Sequence, residues 1–182
     1  MTLIFDVPDA FAAGECDRLI ALADAAEMEA GRVQEADGYL PNPAVRRVET
    51  SFHPRGEATR WIYDRLDALF AEAGRALGLA VGPMTEPIQL MRYGAGCHFR
   101  TFHSDAGHDR HGERLVSVSV ELSERGDYDG GDLEIVPDTI GRVRTMKRGG
   151  ARFFPSRALH RVTPVARGVR YALVNWTGAA KT

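Results

Sequence analysis

The chain is poor in the features that mark secreted, membrane and nucleic-acid-binding proteins. Cysteine is scarce: the 182 residues hold two, Cys16 and Cys97. They stand in no CxxC pattern, so they form neither a disulfide framework nor a thiolate metal knuckle. Free thiols of this kind fit a reducing compartment. No apolar run approaches the roughly 18 residues that a spanning helix needs. The amino-terminal MTLIFDVPDA has no basic start followed by a long apolar stretch, so no secretory signal is expected and the cytoplasm is the expected location. Positive charge is not in excess: 23 Lys and Arg against 25 Asp and Glu leave a net charge of −2. Without a basic stripe, a general nucleic-acid binder is disfavoured. There is no internal repeat and no low-complexity segment.

What is present suits one domain over residues 1–182, with 44% hydrophobic residues to fill a core. The pattern changes near residue 85. Before it the chain reads mainly as helical support. Phe11 to Ala30 carries apolar residues at Cys16, Leu19, Ile20 and Ala23, a helical spacing, with Asp9 as N-cap and Gly31 as stop. Residues 32–54, with Gly38, Pro41, Pro43 and Pro54, read as loop and short strand. Glu57 to Leu77 shows a second stripe through Trp61, Ile62, Leu66, Leu69, Phe70 and Leu77, ended by Gly78. From 85 to 178 the chain alternates in short runs: PIQLMRY (87–93), RLVSVSVEL (114–122), GDLEIV (131–136), RVRTMK (142–147), ARFFP (151–155), LHRVTPV (159–165) and VRYALVNW (169–176). Turns such as YDGGD and KRGG separate them. Many short strands after two helices predict an α+β fold with a double-sheet β core braced by the N-terminal helices.

The segment FRTFHSDAG (99–107) places His103 and Asp105 two residues apart, on one face if the backbone is extended. An HxD pair alone fits a turn as well as a metal site. Among the other histidines, His53, His98, His108, His111 and His160, only His160 lies well inside a predicted late strand. Two histidines and one carboxylate form the facial set of non-haem Fe(II) oxygenases, which leaves coordination positions open. Zinc instead takes three protein ligands and a water, often all His or Cys. His108 and His111 offer an alternative zinc pair, although GHDRHGER also reads as a solvated loop. Downstream, a register pairing Val162 with Arg170 puts Arg170 on the face of His160, roughly 7 Å away at 3.3 Å per residue. A guanidinium there can grip the far end of a metal-bound dicarboxylate through two parallel hydrogen bonds. Tyr93, at the end of QLMRY, can donate to the same acid or serve as a half-buried strand aromatic.

Taken together, GECDRLIALA, VRRVETSF, WIYDRL, IQLMRYGAG, HSD, LVSVSVELSERGDYDGGDLEI and RGGARFFPSRALHRVTPVARGVRYALVNW resemble the Fe(II)/2-oxoglutarate-dependent dioxygenases of the prolyl 4-hydroxylase-like group. The likeness runs over residues 11–178, and the last block is similar to bacterial members of the peptidyl-hydroxylase type. The resemblance implies a double-stranded β-helix (jelly-roll) core. It implies iron held by His103, Asp105 and His160, and 2-oxoglutarate held by Arg170 with help from Tyr93. It implies O2 as second cosubstrate, with succinate and CO2 released as an unactivated C–H bond is hydroxylated. Asp105 closes the position that related halogenases leave for chloride. One departure stands out. The aromatic usually three residues before the first histidine is Phe99, four before it, so CHFRTFHSD is one residue longer. Cys97, His98 and Phe102 then either face the substrate or reshape the loop.

The implied substrate is an amino-acid residue, peptidyl or free. A small-molecule oxygenase of natural-product biosynthesis and a non-catalytic jelly-roll binding module are the competing readings. The mouth is expected to be rimmed by the 35–50 loop, with Tyr39, Arg46, Arg47 and Glu49, and by 104–113, whose glycine- and charge-rich part at 106–112 suits a mobile lid. Arg46 or Arg47 is placed to hold a carboxylate or a peptide backbone. No nucleic-acid or membrane partner is expected, and the oligomeric state is not legible.

Overall fold

A computed structural model describes residues 4–35, 38–106, 114–136 and 146–180. The elements before the composition change are β1 Phe5–Val7, α1 Ala13–Asp24, β2 Glu29–Ala30, β3 Arg32–Glu35, β4 Gly38–Pro41, β5 Arg46–Arg47, β6 Glu49–His53 and α2 Arg60–Leu77. After it come β7 Ile88–Tyr93, β8 His98–His103, β9 Arg114–Glu121, β10 Tyr128–Gly130, β11 Leu133–Ile135, β12 Ala151–Pro155, β13 His160–Val162, β14 Val165–Gly168 and β15 Arg170–Gly178. The pairing is antiparallel. A seven-stranded sheet runs β1-β12-β9-β15-β7-β6-β2 and a four-stranded sheet runs β11-β13-β8-β5, with the ribbons β10-β14 and β3-β4 beside them.

Alternation decides which face of the large sheet meets what. In β9, Val116, Val118 and Val120 join Leu90, Phe153 and Leu173 in the apolar cluster that also takes in Leu19 of α1 and Leu66, Phe70 and Leu77 of α2. Side chains one residue out of phase, such as Met91, Tyr93 and Phe154, join Ile135 and Val162 of the small sheet in a second cluster. The helices thus cover one face of the large sheet, and its other face looks onto the four-stranded sheet. No helix among the described residues is long and apolar enough to cross a membrane.

Helix α2 follows its expected stripe and stops at Gly78, whose left-handed φ of 70° places its N–H over the last turn. It begins at Arg60 rather than Glu57, because the Thr59 hydroxyl donates to the Pro54 carbonyl at 2.7 Å and accepts from Gly56 N–H at 2.9 Å, tying this stretch into a turn. Helix α1 departs further. Its N-cap is Ala12, not Asp9, and the Glu15 carboxylate accepts from Ala12 N–H at 2.8 Å. It ends at Asp24 rather than Gly31, because Glu29 and Ala30 pair with Thr50 and Glu49 at the sheet edge. The first 84 residues are therefore less purely helical than their composition suggests, contributing β1, β2 and β6 to the large sheet and β5 to the small one.

Later boundaries shift for similar reasons. The expected strand 159–165 is two strands broken at Thr163 and Pro164, since Pro164 cannot donate to a ladder. Part of YDGGD, read as a turn, pairs as β10 with β14. Residues 142–145 of the expected strand 142–147 lie outside the described residues, and 146–147 are not extended in a sheet.

Candidate active site

His103 ends β8 and His160 begins β13, and the two are direct cross-strand partners in the four-stranded sheet. Asp105 follows the end of β8, where its N–H donates to the Ser156 carbonyl at 2.9 Å. The histidines share one local device. His103 Nδ1 lies 3.1 Å from the Thr101 carbonyl, and His160 Nδ1 lies 2.9 Å from the Ala158 carbonyl. A carbonyl only accepts, so each Nδ1 carries a proton, and a neutral ring so held turns its Nε2 lone pair toward the site. Both Nε2 atoms face the Asp105 carboxylate, His160 at 3.4 Å from Oδ2 and His103 at 3.9 Å from Oδ1. One donor atom from each of the three residues lies within 4.8 Å of the others. Ser117 Oγ donates to Asp105 Oδ2 at 2.7 Å and fixes its orientation.

Electrostatics keep this group ready for a cation. Burial above all lowers His103 to about 4, so its ring is neutral at physiological pH. Burial alone would raise the Asp105 carboxyl. His160 and His103, then Trp176 and the Ser117 hydroxyl, outweigh it and hold Asp105 below the usual carboxylate range.

The second half of the site belongs to the other sheet. Arg170 and Tyr93 are cross-strand partners in β15 and β7. The register expected between Val162 and Arg170 does not form: Val162 pairs with Leu133 and Phe99. Thr163 and Pro164 break the ladder, and β15 joins the large sheet. Arg170 thus stands across the cavity from His160, not two residues along a shared ribbon. Arg170 and Glu121 are each 3% exposed, and Arg170 Nε donates to Glu121 Oε2 at 2.9 Å. Burial by itself would lower the Arg170 guanidinium, but Glu121 holds it well above its ordinary value. The Arg170 guanidinium lies 5.5 Å from the Tyr93 ring centroid. Among the described residues the Tyr93 hydroxyl donates to Met91 Sδ, at 3.3 Å, a weak acceptor that an incoming oxygen would displace. Burial raises its phenol, so it stays protonated and able to donate.

Between these pairs lies a cavity of about 1300 Å³, lined by His103, Asp105, His160, Arg170, Tyr93 and Phe99 among others. The Phe99 ring stacks on His103, with centroids 3.5 Å apart and planes 13° from parallel. CHFRTFHSD runs through a register shift: His103 faces His160 and Phe99 faces Val162, so residues 100–102 oppose the single residue 161. Phe102 lies under the Arg161 guanidinium at 4.5 Å, outside the cavity lining. His98 is buried with Nδ1 at 3.0 Å from the Gly96 carbonyl, and Cys97 packs against the second apolar cluster. These three shape the strand, and Phe99 forms the wall. Arg46 lines the cavity; Glu49 pairs with Arg92 at 2.6 Å. His108, His111 and the expected lid at 106–112 lie outside the described residues, apart from Ala106.

Ser117 and Glu121 were not singled out by sequence reasoning. The signal was in SVSVE: once the valines join the helix-side cluster, Ser117, Ser119 and Glu121 must lie on the opposite face of the strand.

Fold and site define an antiparallel β protein with a two-histidine, one-carboxylate centre set opposite a buried arginine. A family profile described as the 2OG-Fe(II) oxygenase superfamily matches residues 88–178. The PKHD-type hydroxylase PiuC of Pseudomonas aeruginosa is 33% identical over 186 residues, covering 96% of this chain and 78% of the relative. The chain belongs to the 2OG-Fe(II) oxygenase superfamily. A PKHD-type hydroxylase of Synechococcus sp. is 32% identical over 127 residues, 68% of this chain but 57% of that protein, so the match spans little more than half of that relative's length. In fold the chain is similar to a prolyl-4-hydroxylase of Pseudomonas putida, with TM-score 0.76 at 21% identity over 98% of this chain and 94% of that one. It is also similar to a Trichoplax adhaerens prolyl hydroxylase in complex with a hypoxia inducible factor peptide fragment, with TM-score 0.75 at 19% identity over 97% of this chain and 83% of that one.

Proposed function

We propose that this protein is an Fe(II)- and 2-oxoglutarate-dependent hydroxylase of an amino-acid residue, with His103, Asp105 and His160 as metal ligands and Arg170 and Tyr93 holding the cosubstrate. The observation that carries this reading is the convergence of three donor atoms within 4.8 Å on a cavity whose opposite wall is the Arg170–Tyr93 pair. The donor set fits the metal: two imidazoles, each held through Nδ1 with Nε2 turned to one carboxylate, are with it the ligands of an Fe(II) site that keeps positions open. We further read the two facing sheets as the double-stranded β-helix of this superfamily, within a single catalytic domain, and the free Cys16 and Cys97 favour a reducing cytoplasm.

Iron, when bound, supplies the activation of O2 that couples decarboxylation of 2-oxoglutarate to hydroxylation of a C–H bond. The chain supplies placement. The Thr101 and Ala158 carbonyls set both imidazole tautomers, and Ser117 sets the carboxylate. Glu121 occupies Arg170 Nε and so leaves the Nη atoms for the distal carboxylate of 2-oxoglutarate, where Tyr93 adds a second donor. Phe99 and Phe154 pack against His103 and His160 and keep water from that side. The Trichoplax relative, seen with a peptide, supports an amino-acid residue within a peptide as one form of substrate. The non-catalytic reading is weakened because all three donors and Arg170 are in place.

The test is anaerobic titration of the protein with Fe(II) and 2-oxoglutarate. A visible metal-to-ligand charge-transfer band is expected, and His103→Ala or His160→Ala should abolish it. A folded, iron-loaded wild type without the band would overturn the reading.

A further inference from the structure

Among the described residues, four arginines line the cavity. Arg114 is paired with Glu86, Arg170 with Glu121 at 2.9 Å, and Arg32 with Glu29 at 3.5 Å. Arg46 has no carboxylate partner among the described residues. Among the described residues its hydrogen bond runs from Nη1 to the Arg32 carbonyl at 3.0 Å, and its Nε is buried with no partner there. The side chain is half-buried, with Nε shut away from water, and burial pushes its guanidinium below its ordinary value, opposite to the carboxylate-paired Arg170.

The surroundings hold Arg46 in place. It is the cross-strand partner of Phe99, and its guanidinium lies 5.1 Å from the Phe99 ring centroid. Phe99 in turn stacks on His103. Gly31 makes the room: a Cβ there would stand 2.9 Å from Arg46 Nε and 2.5 Å from Val48 Cγ1. The charge of Arg46 acts on both His103 and Asp105, so it sits beside the metal-ligand group. The cavity, at about 1300 Å³, exceeds the roughly 300–1000 Å³ of a typical small-ligand pocket and has space for a second organic molecule beside the cosubstrate.

We propose that Arg46 is the substrate anchor and that the substrate carries a carboxylate, which Arg46 grips while a neighbouring C–H faces the metal ligands. This rests on the hydroxylase reading above. The carboxylate has two possible sources, a free amino acid or the acidic terminus or side chain of a peptide, and both present the same chemistry to a guanidinium fork.

The experiment uses calorimetric titration of the 2-oxoglutarate-loaded, anaerobic Fe(II) enzyme. The probes are the free amino acids, their carboxamides, and short peptides with free or amidated C-termini, with and without an internal Asp or Glu. Carboxylates should bind and their matched amides should not. Arg46→Gln should weaken the carboxylate by at least about thirtyfold, the low end of losing one partner of a desolvated charge pair. Arg46→Lys should fall between, since it keeps the charge but not the fork. Binding confined to free amino acids, or extended to acidic peptides, identifies the source. The inference is overturned if no carboxylate binds, if the amides bind equally well, or if Arg46→Gln leaves the preference intact. It is also overturned if Arg46→Gln and Arg46→Lys abolish the 2-oxoglutarate charge-transfer band, which would assign Arg46 to the cosubstrate. A wild type without that band defeats the hydroxylase reading itself, a separate failure.

Discussion

Arg170 and Glu121 form an ion pair sealed between the sheets, with Nε and Oε2 2.9 Å apart. Removing one partner leaves the other charge buried alone. Arg170→Ala is expected to cost about 3–5 kcal/mol of stability and to abolish 2-oxoglutarate binding. The two effects separate in the double variant Arg170→Met, Glu121→Met, in which an apolar pair replaces the ion pair. Denaturant unfolding should show stability near wild type, while the charge-transfer band stays absent.

Ser117 acts on the proposed metal site through Asp105, to whose Oδ2 it donates at 2.7 Å. Ser117→Ala should leave the fold intact and weaken Fe(II) binding by about 10- to 100-fold, the usual cost of losing a group that orients a metal ligand. Competition with a calibrated chelator measures this, and unchanged affinity would remove Ser117 from the site.

His103 gives the metal-free protein a specific acid sensitivity. Its ring is held at about 4 when folded, against about 6.5 in an unfolded chain. The unfolded chain therefore takes up a proton that the folded site refuses. Stability is full above about pH 6.5 and falls as the pH drops toward 4, by up to about 3 kcal/mol at 1.36 kcal/mol per pK unit. Urea unfolding of the metal-free protein at pH 7.5 and 4.5 measures the loss, and His103→Gln should reduce it.

Phe99 contributes to that depression by covering the His103 ring. In metal-free Phe99→Leu, which uncovers part of the imidazole, NMR titration should place His103 above about 4 and closer to its ordinary value. A titration unchanged from wild type would show that burial comes from elsewhere in the cavity.

Much of this was legible in sequence because it depends on local periodicity. The stripe of α2 and its Gly78 stop, the alternation of β7, β9, β12 and β15, and the candidate group of His103, Asp105 and His160 follow from residue spacing or motifs, whereas Arg170 and Tyr93 are implied by the family likeness, since the register expected for Arg170 does not form. The end of α1 was not legible, because the pairing of Glu29 and Ala30 with β6 is a non-local contact that overrides an alanine-rich helical tendency. Nor was the partner of Arg170. A hairpin was the economical expectation, and Pro164 sent the chain to the other sheet instead.

By itself, the sequence determined which chemical groups the protein owns and which strand face each occupies, since side-chain parity is a property of the backbone. Only the tertiary structure decided who faces whom. It set His103 against His160 in one sheet and Arg170 against Tyr93 in the other, gave Glu121 to Arg170, and left Arg46 in the cavity without a carboxylate among the described residues. Those pairings depend on how two sheets meet across a core, which no local spacing encodes.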